Sequence, residues 1–180
     1  MTLEQLAAAI PAYAKDLKLN LSSIFQQTEL TPQQAWGAAV ACAYASRNQA
    51  VYEAILEAAE KQISVEAVQG AKAAAAIMGM NNIYYRFQHL VENEKYSTVP
   101  ARLRMNVVRT HGSDPVDFEL WCVAVSAVNG CGKCIVAHER TLREKGVSVE
   151  TITAAVRIAS VLHAIAAIFD VEPAIASASV

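Results

Sequence analysis

The residues with the clearest capacity for chemistry lie between Gly130 and His138, which read Gly-Cys-Gly-Lys-Cys-Ile-Val-Ala-His. The stretch holds two of the four cysteines, Cys131 and Cys134, and one of the four histidines, His138. A Gly-bounded turn is expected to open a helix here. On a helix, side chains three or four residues apart share a face, so both thiols and the imidazole can sit together. Backbone amides at a helix N-terminus and a protonated His both favour the thiolate, the form of Cys that reacts. The pattern reads as a reactive dithiol.

Two other readings compete with it. Buried free Cys is common as a small apolar residue, and a lone helical His is usually structural. A Cys-x-x-Cys pair is also half of a zinc site. The sequence has no second Cys-x-x-Cys and no His-x-x-x-His. Zinc would need three ligands from one helix face and a distant fourth, so no metal is expected. The sulfur four residues before His138 is expected to be the base-activated one. The sulfur at the helix opening is expected to be more exposed and to meet an incoming disulfide first. Which thiol is more acidic stays open: the helix N-terminus argues for Cys131 and the imidazole for Cys134.

Glu119 lies on the helix that leads into this one. Antiparallel helices joined by a short turn bring such positions close, and a carboxylate beside His138 would orient the ring. A solvated acid near a helix N-terminus explains Glu119 equally well. Cys42 and Cys122 fall within apolar helix faces and read as core, with Cys122 three residues from Glu119. His163 reads as a packed structural residue.

The elements that must hold these groups are helical. The chain has 180 residues, 54% of them hydrophobic and 18% charged, enough for one domain with a real core (1–180) and too apolar for disorder. Much of the apolar content is Ala, which favours close-packed helices. The net charge is −2 and the sequence pI about 6.1, so there is no basic field for nucleic acid. No uninterrupted apolar run reaches a membrane span of ~18 residues. The longest, Ile158 to Phe169, is short and contains His163. No basic segment followed by an apolar run opens the chain. A cytoplasmic protein is expected, where Cys-x-x-Cys is more often redox-active than a permanent staple.

Capping signals set the helix starts. Thr2 to Gln5 and Thr31-Pro32-Gln33-Gln34 have the form of capping boxes, and Pro11 can begin a helix running to about Gln27. Further helices are expected from about Asn48, from Ser64 with a break at Gly79, and from Ser113-Asp114-Pro115 to Asn129-Gly130. The Cys-x-x-Cys helix should end at Gly146, and a last helix should run from Ser148 until Pro173 stops it. Glu92 to Pro115 reads as a connector, helical around Ala101 to Val108. The segments 31–91 and 115–172 resemble each other. Trp36 matches Trp121, and Ile63-Ser64-Val65-Glu66 matches Val147-Ser148-Val149-Glu150. A duplicated helical unit follows. In the Trp register Ser46, Gln49, Glu53 and Gln34 stand where the second copy has Cys131, Cys134, His138 and Glu119. The same packing pattern thus occurs without the thiols.

Glu119, then Asn129-Gly130-Cys131-Gly132-Lys133-Cys134, then Ala137-His138-Glu139 resembles the alkyl hydroperoxide reductase D family, within the carboxymuconolactone decarboxylase-like superfamily. The resemblance covers most of the chain, including the connector from Tyr96 to Met105. It implies an all-α fold, a compact helical bundle of the alkyl hydroperoxidase D kind, assembled as a homotrimer. It also implies a thiol-dependent reductase of organic hydroperoxides that binds no cofactor. Electrons would come from dihydrolipoamide, carried by a lipoyl-bearing acyltransferase with dihydrolipoamide dehydrogenase upstream. They would pass to a peroxiredoxin of the alkyl hydroperoxide reductase C type. By matching position, Cys134 would attack peroxide, Cys131 would resolve it into a 131–134 disulfide, and Glu119 and His138 would relay protons. The pattern departs at Lys133, where members often carry His. A Lys does not relay protons as imidazole does, but its charge can favour a neighbouring thiolate. Lys133 is therefore an accessory candidate beside its reading as a solvated surface residue. The alternatives are a carboxymuconolactone decarboxylase-type enzyme, which needs no dithiol, and a non-enzymatic redox-responsive module.

Overall fold

The computed structural model describes residues 1–172, so Pro173, expected to stop the last helix, lies outside the described residues. Ten α-helices follow one another: α1 (Leu3–Ala9), α2 (Lys15–Ser23), α3 (Pro32–Ala45), α4 (Gln49–Ala59), α5 (Val65–Leu90), α6 (Lys95–Thr98), α7 (Val107–Thr110), α8 (Pro115–Val128), α9 (Gly132–Glu144) and α10 (Val149–Val171). No strand occurs among the described residues.

The starts are where the caps put them. Thr2 and Thr31 form capping boxes with Gln5 and Gln34, and Asn48, Ser64, Asp114 and Ser148 each cap with a side-chain oxygen. Three boundaries differ from the sequence expectation. Pro11 opens a short 3-10 turn (Ala12–Ala14) before α2, which ends at Ser23 rather than Gln27. Helix α5 runs unbroken through Gly79, whose missing side chain faces open space. A single Gly there costs only about 1 kcal/mol against Ala. In the connector, residues 101–106 are not helical, and single turns stand on either side. Pro100 and the positive φ of Arg102 (53°) interrupt any helix there.

Helices α3, α5, α8 and α10 pack on one another and form the centre. Their contact faces are small. Ala38 to Ala43, with Val40 and Cys42 among them, are all fully buried in α3, which lets the helices approach closely. The tightest approach is at Gly37, where a Cβ would stand 2.3 Å from Cε2 and Cζ2 of the fully buried Trp121. The Trp121 indole nitrogen in turn donates to the carbonyl of Gln34 at 3.3 Å. Helix α10 is long and apolar enough to cross a membrane by length and composition, which a count of uninterrupted apolar residues misses. Here it lies in the core, with Ile158, Leu162 and Ile165 fully buried, while His163 is on its exposed face rather than packed inside.

Candidate functional site: a dithiol beside a Glu–His pair

The site is built on the turn between α8 and α9. Gly130 takes φ +67°, a left-handed conformation that glycine adopts without strain, and the Cys131 amide donates to the Ser126 carbonyl at 3.0 Å. Helix α5 fixes the turn from the side. Arg86 Nη1 donates to the Asn129 carbonyl at 2.6 Å, and Asn129 Nδ2 donates to Asn82 Oδ1 at 2.9 Å. Asn82 Nδ2 donates in turn to Ser126 Oγ at 3.0 Å. These anchors come from residues more than forty positions away in the chain, so no local pattern in the sequence marked them.

Cys131 is the N-cap of α9, its sulfur accepting from the Cys134 amide at 3.4 Å. The Cys131 and Cys134 sulfurs are 2.7 Å apart, and both are free thiols. The corresponding cap of α4 is Asn48, whose Oδ1 accepts from the Val51 amide at 3.0 Å. Aligned on these caps, Val51 and Ile55 stand where α9 has Cys134 and His138. That register is two residues away from the one the tryptophans suggest. An ordinary Asn cap thus suffices to start the earlier helix, and nothing in helix formation requires sulfur at Cys131.

The antiparallel α8 and α9 bring Glu119 to His138, with Oε2 2.7 Å from Nδ1. Both side chains are more than four-fifths buried. The imidazole thus donates from Nδ1 to the carboxylate. Its other nitrogen, Nε2, meets the Met78 thioether at 3.3 Å rather than either cysteine sulfur. No hydrogen bond joins His138 to Cys134, the sulfur expected to be base-activated. Met78 also receives Ser126 Oγ at 3.6 Å and Asn82 Nδ2 at 3.8 Å, so three polar groups converge on one sulfur.

Cys134 and His138 share the wall of one cavity of about 310 Å³ with Met78, Asn81, Tyr85 and Met105. A larger depression, about 560 Å³, lies over Gly132 and Lys133 and touches neither a cysteine nor His138. The exposure expectation is reversed: Cys131 is fully enclosed, whereas Cys134 retains 5% and borders the cavity. Cys131 is capped inside the turn, so Cys134 is the sulfur that a small molecule can meet. Burial pushes the Cys134 thiol up to about 12, and its hydrogen bond with Cys131 acts the same way. Asn82 and Lys133 pull against these effects. Cys122 is fully buried as expected, and burial raises its thiol well above the ordinary range, with Glu119 and Cys134 as nearby contributors. It therefore stands close to the site. Lys133 Nζ donates to Gln88 Oε1 at 3.0 Å and lies 5.6 Å from the centre of the Tyr85 ring. Its ammonium is therefore spoken for by α5. Among the described residues no three His, Cys, Asp or Glu side chains are grouped to hold a metal.

An all-helical bundle carrying a paired dithiol beside a Glu–His pair defines a class, and comparison with known proteins agrees. The sequence profile of the carboxymuconolactone decarboxylase family matches residues 95–176. The chain is 62% identical over 172 residues to alkyl hydroperoxide reductase AhpD of Solibacter usitatus, covering 96% of this chain and 97% of that one. It is 60% identical to the AhpD of Koribacter versatilis, over 96% of this chain and 89% of the relative. To that of Acidobacterium capsulatum it is 57% identical, over 96% and 94%. The chain belongs to the AhpD family of the carboxymuconolactone decarboxylase superfamily.

Proposed function

We propose that the protein is a thiol-dependent reductase of organic hydroperoxides that works through Cys134 and Cys131. The observation that carries this reading is the contact of the two sulfurs at 2.7 Å beside the Glu119–His138 pair. Membership of a family whose relatives are named alkyl hydroperoxide reductase supports a peroxide-reducing enzyme.

The chemistry runs in two steps. The Cys134 thiolate attacks the distal peroxide oxygen, forming a sulfenic acid, and the alkoxide leaves to become an alcohol. Cys131 then displaces hydroxide to close the 131–134 disulfide. A thiol kept protonated by burial must lose its proton as the peroxide arrives. His138 is the base in the same cavity, oriented by Glu119. It reaches Cys134 through a water or by turning from Met78. Glu119 stabilises the charged ring that results.

The oxidised pair is reopened by a dihydrolipoyl group supplied by a lipoyl-bearing acyltransferase and its dehydrogenase. Electrons pass on to a peroxiredoxin of the AhpC type in the cytoplasm. Exposed apolar side chains at Ile83, Phe87, Leu90 and Tyr96 support an assembly of several copies, which we read as a homotrimer. The test is turnover of cumene hydroperoxide with dihydrolipoamide, with and without a peroxiredoxin. Cys134→Ser should abolish it, and full activity of that variant would end the proposal. Turnover that survives thiol alkylation would favour decarboxylase-type chemistry instead.

A further inference from the structure

Asn81 and Asn82 are neighbours on α5, and only one of them is satisfied. Asn82 is fully buried and uses both amide atoms, its Nδ2 on Ser126 and its Oδ1 under Asn129. Asn81 is 94% buried, from its 6% exposure, and its Oδ1 accepts no hydrogen bond from any described residue. Buried amide oxygens are nearly always paired, and an orphan costs stability, so one that persists calls for an explanation. Asn81 borders the cavity shared by Cys134 and His138, and the Cys134 thiol points at its backbone carbonyl at 3.9 Å. The residue that carries the orphan therefore lines the cavity, and its backbone adjoins the sulfur that faces it.

We propose that the Asn81 amide is the docking group for the hydroperoxide, accepting the terminal O–H and presenting the distal oxygen to Cys134. This rests on the peroxide-reducing reading above. The chemistry suits an acceptor at that place. When the thiolate attacks, sulfur gives two electrons, the S–O bond forms and the O–O bond breaks. The hydrogen on the distal oxygen does not move, and the alkoxide leaves to take a proton elsewhere. One acceptor can thus hold the same O–H from bound hydroperoxide to Cys134 sulfenic acid. It is released when Cys131 displaces hydroxide. No other buried side-chain oxygen or nitrogen among the described residues lacks a partner. Recognition is of the O–O–H group common to alkyl hydroperoxides and hydrogen peroxide, with Met78 and Met105 offering an apolar wall to the alkyl part.

The test is single-turnover consumption of cumene hydroperoxide by the pre-reduced full-length protein, in wild type, Asn81→Leu and Asn81→Ala. Leu is close to Asn in size and leaves no unpaired oxygen. Both variants should consume peroxide about tenfold more slowly, the usual effect of losing one hydrogen bond. Asn81→Leu should melt at or above the wild-type temperature, and both should exchange thiols with oxidised lipoamide at the wild-type rate, since that step involves no peroxide. Peroxide consumption within twofold of wild type in the folded variants overturns the inference and leaves the function intact. An equal fall in peroxide consumption and thiol exchange overturns it too, because the dithiol itself would then be disturbed. If Asn81→Leu does not fold, Asn81→Ala decides. A wild type that consumes no peroxide removes the function and this inference together.

Discussion

Replacing Glu119 by Gln and by Ala separates the charge of the Glu–His pair from its geometry. The carboxylate is 2.7 Å from His138 Nδ1, and both side chains are shielded from solvent, at 18% and 17% exposure. A hydrogen bond to a charged group contributes about 1.5–3 kcal/mol net and a neutral one about 0.5–1.5. Gln keeps an acceptor of the same shape, so Glu119→Gln should lose about 1–1.5 kcal/mol. That corresponds to a fall of roughly tenfold in the peroxide step. Ala removes the acceptor and frees the ring, and the fall should reach about a hundredfold, the lower end of what a positioned acid–base group supplies. The assay is stopped-flow consumption of cumene hydroperoxide by reduced protein, with melting curves alongside. Loss of about 1–1.5 kcal/mol should lower the midpoint by only ~2–6 °C in a domain of this size. A folded Glu119→Ala variant whose peroxide step stays within threefold of wild type would refute the relay.

Gly37→Ala should be among the most damaging small substitutions. Its Cβ meets the enclosed Trp121 indole at 2.3 Å, and shifting that ring also strains its bond to Gln34. We expect a loss of about 3 kcal/mol, read as a fall of ~6–12 °C in the melting midpoint. A pH series of unfolding should show alkaline instability. Cys42, Cys122 and Cys134 are all held protonated in the folded protein chiefly by burial, above the ordinary thiol value of 9.0. Above that pH the unfolded chain releases protons that the native state keeps. Stability is therefore full below about pH 9 and falls as pH rises beyond it, by roughly 1.4 kcal/mol per thiol per pH unit. Chemical denaturation of the Cys42→Ala, Cys122→Ala double variant should show a shallower fall, and an unchanged slope would contradict the burial argument.

Much of the fold was legible because it is written locally. Thr2, Thr31, Ser64, Asp114 and Ser148 begin helices by bonds to residues two or three positions ahead, and such spacing is visible in a string of letters. Gly79 misled because a glycine's cost is small when a long helix is held by packing on its other faces. Connector residues 101–106 misled because apolar letters without caps do not specify a helix. The site was legible in its residue types and not in its orientation. The spacing of Cys131, Cys134 and His138 placed them near one another. Their accessibility depends on the cap at Cys131 and on α5, which supplies Met78, Asn81 and Asn82 from over forty residues away. Such partnerships arise only when helices pack, so neither the Met78 contact with His138 nor the orphaned Asn81 oxygen had a signal in the sequence.

The division of labour between the two sulfurs is tested most directly by trapping the sulfenic acid. Reduced Cys131→Ser protein is treated with one equivalent of cumene hydroperoxide in the presence of dimedone, and the labelled peptide is read by mass spectrometry. We expect the label on Cys134, no label in Cys134→Ser under the same conditions, and a 131–134 disulfide in wild type. A label on Cys131 in Cys134→Ser, forming as fast as wild type consumes peroxide and with Cys134 unlabelled in the first variant, would contradict the account.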